Sequence, residues 1–146
     1  MGARLLILIS RLVAGGIMLR TGLEKLHSGW IANLGIEGSL GGEHAFGFYR
    51  GFLTHTVAHH AKFFSYLVVA GELSVGVCLL LGFLTRWAAF AGVLMMIFFA
   101  MMEGVALDPA PPIAMGLTFL LLAATDAGQV AGIDRWLRGR APHWVI

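Results

Sequence analysis

The order of apolar runs and interrupting charges divides the chain into long hydrophobic blocks. Between Lys62 and Arg86 the only charged residue is Glu72, and the enclosed run can cross a hydrocarbon core of about 30 Å, which takes roughly 20 residues. Arg86 and Glu103 enclose a second block, WAAFAGVLMMIFFAMM. DPAPP at 108–112 breaks the pattern, because its prolines end one helix and suit the first turn of the next. IAMGLTFLLLAAT, 113–125, is then a third block, closed by Asp126. The N-terminal stretch ARLLILISRLVAGGIMLRTGLEKL contains Arg11 and Arg20 and is marginal by hydropathy alone. It has no compact apolar core followed by a small-residue cleavage site, so it reads as a spanning helix and not as a signal peptide. The expected fold is all-α, an integral membrane four-helix bundle in one domain over 1–146. Its helices run about 4–27, 61–84, 86–104 and 110–126, with a long interfacial loop at 28–60 and a tail at 127–146.

Composition agrees with a bilayer environment. Apolar residues make up 58% of the chain before its 20 glycines are counted, and only 12% of residues are charged, where about 25% is usual. So few charges cannot cover the surface of a soluble domain of this length. A multi-pass protein of the cytoplasmic membrane is expected, with the lipid bilayer and no nucleic acid among its partners. Arg4, Arg86, Arg135, Arg138 and Arg140 fall at one end of four antiparallel helices, and Arg50 and Lys62 at the other, which puts both termini in the cytoplasm. Within the outer loop, HAFGFYRGFLTHTVAHH can form a short amphipathic helix anchored by its aromatic residues.

Depth and helical phase select partners for the buried charges. At 1.5 Å per residue, Arg11 lies about 10 Å into the first helix, Arg20 about 24 Å, Lys25 about 31 Å, and Glu72 at a level of about 18 Å. At about 100° per residue Arg11 shares a face with Gly15, Gly22 and Lys25, whereas Arg20 shares the opposite face with Glu24. A glycine face admits close helix approach. Glu72 is therefore expected to pair with Arg11 first and Lys25 second, and Arg20 with Glu24 one turn away. Such a pair fixes how two helices dock, and an intramembrane acid is also a candidate proton or quinone site.

RLVAGGIMLRTGLEKL at 11–26 resembles the first-helix signature of the DoxX/DoxD family, an arginine followed by spaced glycines and Lys-Leu. GELSVGVCLLLGFLTRWAA at 71–89 is similar to its second signature, and DAGQVAGIDRWL at 126–137 to its closing segment. The matching positions are Arg11, Gly15, Gly22, Lys25, Glu72, Gly76, Gly82 and Arg86. The resemblance implies a four-helix membrane bundle, bacterial or archaeal, associated with redox metabolism. Its DoxD members resemble the small membrane subunit of thiosulfate:quinone oxidoreductase. Arg20, Glu24 and the long histidine-bearing loop depart from the pattern and point to a member specialised for a particular partner.

The remaining chemistry is sparse. Cys78 is the sole cysteine, so intramolecular dithiol exchange with quinone is excluded. His55 and His59, four apart, are the metal-ligand candidates, with His44, His60 and Glu43 able to complete a set. The methionine-rich run MMIFFAMMEG could contact a quinone tail or lipid. Glu72 and Glu103 are the candidate catalytic acids, and Gly15, Gly22, Gly76 and Gly82 the close-packing positions. No cofactor is expected to be held by the chain alone. Two functions follow: an accessory subunit docking onto larger membrane-protein subunits through helix one, the outer loop and the tail, or a quinone-linked oxidoreductase component of the thiosulfate type.

Overall fold

The structure is a computed structural model that describes residues 2–33, 45–103 and 111–138, with backbone alone at 103 and 111. Six α-helices occur among the described residues: α1 (Gly2–His27), α2 (Gly47–Phe52), α3 (Ala61–Leu81), α4 (Thr85–Glu103), α5 (Pro111–Ala124) and α6 (Ile133–Leu137). Three stretches are long and apolar enough to cross a membrane: Gly2–His27, Gly47–Leu81 and Thr85–Met102. The fourth, Pro112–Ala124, is apolar but shorter. It opens on the expected prolines, whose missing amide hydrogens cost nothing in a first helical turn.

The helices form a ring in which α1 packs on α3, α3 on α4, α4 on α5, and α5 back on α1. Neighbours are antiparallel. Gly15 faces Leu79 and Leu80, while Gly22 faces Leu73, so rising numbers on α1 meet falling numbers on α3. The same reversal pairs Gly92 with Phe119 and Gly116 with Met96 across α4 and α5. Ala14, Met18, Val75, Leu79, Ala89, Val93, Met96, Phe119 and Leu122 fill the centre. Leucines and aromatics such as Leu6, Phe63, Phe90 and Leu117 point outwards, as expected where the surroundings are acyl chains.

Two segments outside the four expected spans pack onto the bundle. Residues 47–60, where a short amphipathic helix was expected within the interfacial loop, are helical: α2 runs through a π turn at Leu53–Val57 and a 3-10 turn at Ala58–His60 into α3. The bend falls at His60, whose φ of −121° and ψ of 31° leave helical geometry. This segment buries Leu53 and Val57 completely, against Ala61, Val68 and Met102 with Tyr49, Phe64 and Phe98 around them. Its aromatic residues are therefore packing as well as surface residues, a distinction composition does not make. Residues 127–137, assigned to the tail and matched by resemblance to a glycine-containing turn followed by a short helix, fold back as a 3-10 turn (Ala127–Gln129) and α6, with Ala127 and Asp134 buried. Residues 34–44, 104–110 and 139–146 lie outside the described residues.

The α1 and α3 backbones approach closely at Gly76, where an added Cβ would lie 2.6 Å from the Leu19 amide nitrogen and 2.9 Å from its Cα. Backbone cannot move aside as a side-chain tip can. Gly76→Ala should force α1 and α3 apart and destabilise the bundle by about 1–3 kcal/mol, read as a lowered unfolding temperature in detergent. Gly16→Ala, at a position with nothing within 4 Å, should leave that temperature unchanged or slightly raised.

Candidate functional site

Polar side chains are buried at both ends of the bundle. At the end holding the start of α1, the Arg11 side chain is 1% exposed. Its guanidinium donates to the carbonyl oxygens of Ala127 at 2.7 Å, Val130 at 3.0 Å and Ala131 at 3.3 Å. Those carbonyls are available because the chain leaves α5 there through a 3-10 turn and a left-handed residue, Ala131 with φ 54°.

The same fold-back delivers Asp134 to the start of α4. Its carboxylate oxygens accept from the amides of Leu84 at 2.7 Å and Thr85 at 2.9 Å, supplying from 49 residues away in sequence the N-cap that α4 lacks locally. Its own amide donates to the Gly82 carbonyl at 2.9 Å. Gly82 ends α3 at φ 63°, with Phe83 bonded back to Cys78 and Gly82 to Leu79, the pairing that closes a helix through a left-handed residue. Gly82 also admits the Arg11 guanidinium and the Gly132 backbone, and Gly128 admits the Asp134 carboxylate. Only about 10 Å³ of cavity remains beside Asp134, too little for a ligand.

This geometry corrects the expected pairing of Glu72. Arg11 does not meet Glu72; three backbone carbonyls take its guanidinium. The partner of Glu72 is Lys25, whose ammonium contacts Glu72 Oε1. The reason is level: Gly22 sits against Glu72 Cβ, whereas Arg11 lies beside Gly82, ten residues further along α3. Lys25 Nζ also stands 5.4 Å from the Trp30 ring centroid and 5.5 Å from that of Phe99, a cation–π arrangement that lowers the cost of holding the charge there. Glu72 Oε2 is buried without a hydrogen-bond partner, as is the hydroxyl of Ser65, two turns earlier on the same face of α3. A buried carboxylate and an ammonium beside aromatic rings form the pair best equipped to bind or move a proton, and they are the candidate site, with the Ser65 hydroxyl about 10 Å of helical rise away on the same face of α3.

The other candidates are placed as follows. Arg20 Nε and Glu24 Oε1 pair at 2.7 Å on the outside of α1, with side chains 79% and 59% exposed. They border a surface groove with Gly16, Leu19, Leu23 and His27. His55 and His59 are exposed, one in the π turn and the other in the 3-10 turn. No group of three metal-ligating side chains occurs among the described residues. Glu43, His44 and the Glu103 side chain lie outside the described residues. Sequence reasoning missed Asp134 and Ser65. The signal for Asp134 was Gly132-Ile-Asp134 beyond the last apolar run, a capping-type acid after a glycine turn; Ser65 carried none.

A family model described as DoxX matches residues 6–103, well over half of the 146-residue chain. The chain belongs to the DoxX family. No curated protein and no solved structure matches it. The matched span holds Arg11, Gly82 and the Lys25–Glu72 pair but ends before the 127–137 fold-back that completes the Arg11 site.

Removing one member of the Lys25–Glu72 pair should cost more than removing both. Glu72→Leu or Lys25→Met alone should lower folded yield and stability by about 3–5 kcal/mol, and the double variant should recover part of the loss, because the penalty lies in the unpaired survivor. Asp134→Ala should strip α4 of its cap, at a cost of about 1–2 kcal/mol, with amide exchange rising first at Leu84 and Thr85.

Proposed function

We propose that this DoxX-family membrane protein is a noncatalytic accessory subunit of a membrane redox or energy-converting complex in a bacterial or archaeal cytoplasmic membrane, with both termini cytoplasmic. The observation that carries the reading is the exposed Arg20–Glu24 pair. Arg20 lies about 10 Å of helical rise from the end of α1. The bundle satisfies every other charge at comparable depth on α1, drawing Arg11 and Lys25 inwards. A charged pair left facing outwards is far better solvated by a neighbouring protein's polar groups than by acyl chains. The redox association is what membership of the family suggests.

A second reading rests on Glu72 Oε2 and the Ser65 hydroxyl, both buried and unpartnered. In a quinone-linked component of the thiosulfate:quinone type, Lys25 and Ser65 would donate to quinone oxygens and Glu72 would take up or release the proton. Glu103 is the other acid proposed for that role.

The two readings separate on purification of the native, tagged chain in mild detergent. The accessory reading expects stoichiometric larger subunits. Arg20→Ala with Glu24→Ala should release them without changing the chain's own melting temperature, and truncation of residues 138–146 should weaken the association. A lone chain that reduces quinone with thiosulfate, and loses that activity in Glu72→Gln, would replace it with the enzymatic reading.

A further inference from the structure

The end of the bundle that holds the Arg11 site carries, just outside it, a groove of about 670 Å³ lined by Arg4, Ile7, Asp126, Gln129, Val130, Ala131, Arg135 and Arg138. Its origin is the fold-back itself. Arg4, Ile7 and Arg11 follow one face of α1 at spacings of three and four, so the face that presents Arg11 to the 127–131 carbonyls presents Arg4 one level further out. Asp134 is consumed by the α4 amides, while Arg135, the next residue, is exposed on the same short helix. Arg4, Arg135 and Arg138 make no ion pair among the described residues. The groove therefore sets three guanidinium groups against one carboxylate, Asp126.

We infer that this groove binds the phosphodiester headgroup of an anionic phospholipid through Arg4, Arg135 and Arg138. The charge calls for an anion, and the surroundings make that anion a lipid. Arg4 stands near the end of a helix long and apolar enough to cross a membrane, and on α6 Ile133 and Trp136, close to Arg135, are exposed to 38% and 70%. A basic groove at the end of a span, with exposed isoleucine and tryptophan on the short helix that carries Arg135, suits a headgroup at the membrane interface. Guanidinium groups match phosphate oxygens with paired hydrogen bonds, and Gln129 adds an amide at the same groove. A free anion would use the arginines but not the exposed Ile133 and Trp136.

The test titrates the purified full-length chain with phosphatidylglycerol or phosphatidylcholine in mixed micelles and counts bound lipid by native mass spectrometry. Phosphatidylglycerol should bind more tightly by on the order of tenfold. R4Q and R135Q should each weaken it about fivefold, the effect of one basic residue at an anionic surface, and D126N should strengthen it. K62Q, at the opposite end of the bundle, should change nothing. Equal binding of the two lipids overturns the inference, as does unchanged phosphatidylglycerol binding in R4Q and R135Q variants that melt like the parent chain. Displacement of the lipid by millimolar inorganic phosphate would also overturn it, making the groove a soluble-anion site. Displacement by a glutamate-rich peptide would do so in favour of an acidic protein segment.

Discussion

A guanidinium about 10 Å inside a membrane span has to be neutralised or solvated, and in this chain the backbone does it. Arg11 donates to the carbonyls of Ala127, Val130 and Ala131, and the exchange is mutual. A helix that ends inside a bundle leaves carbonyls without amide partners, and unsatisfied groups of either kind are costly away from water. Arg11 and these carbonyls meet part of each other's need: Ala127 also accepts from the Val130 amide, and Arg11 Nε is left without a hydrogen-bond partner among the described residues. The consequence is topological, because the segment after α5 must turn back into the bundle to reach Arg11 and so carries Asp134 to the start of α4. The α3–α4 turn, the N-terminus of α4 and the end of α5 are all placed by that one buried charge. Gly82, Gly128 and Gly132 are the positions where the resulting crowding leaves no room for a side chain.

The Lys25–Glu72 pair at the other end acts differently. It bridges α1 and α3 side chain to side chain, with Gly22 in contact with Glu72 and Leu73, and Lys25 is packed against Trp30 and Phe99. A pair of this kind contributes little net stability compared with apolar residues of similar volume. What it does is penalise every α1–α3 alignment that separates its members. With Gly76 against the Leu19 backbone between the two polar ends, the alignment of α1 on α3 is fixed at three levels along their length.

Much of this was legible in the sequence. The apolar blocks located the spans, and Gly15, Gly22 and Gly76 lay on faces where close approach was expected. Prolines 111 and 112 marked the start of α5. The misassignment of Arg11 has a specific cause: partners were sought only among charged side chains, whereas the strongest acceptors within reach were carbonyls freed by a helix end that hydropathy cannot locate. A helix in the 47–60 segment was legible, but its burial was not. Its glycines and aromatics have the composition of an interfacial loop, and only packing reveals that Leu53 and Val57 are core. Ser65 is invisible to pattern reading, since a small hydroxyl on an apolar helix face looks alike whether it faces lipid or protein.

The charges of α1 separate by face in a way that bears on what lies outside the bundle. Arg11 and Lys25 are fourteen positions apart, so at about 100° per residue they fall within about 40° of one another, and both turn inwards. Arg20 falls about 180° from Arg11, and Glu24 about 140° from it on the same outer side. No rotation of α1 could bury all four, because placing Arg20 inside would expel Arg11 and take its guanidinium from the Ala127, Val130 and Ala131 carbonyls. Folding of the bundle thus commits α1 to one orientation and leaves an ion pair on its outer surface, irrespective of what that surface meets. Side-chain neutralisation within the pair limits the cost of exposure but does not abolish it, since both ends remain strongly polar. That surface is accordingly the part of α1 whose polarity internal packing does not explain, and it is there that a selective demand from outside the chain would act.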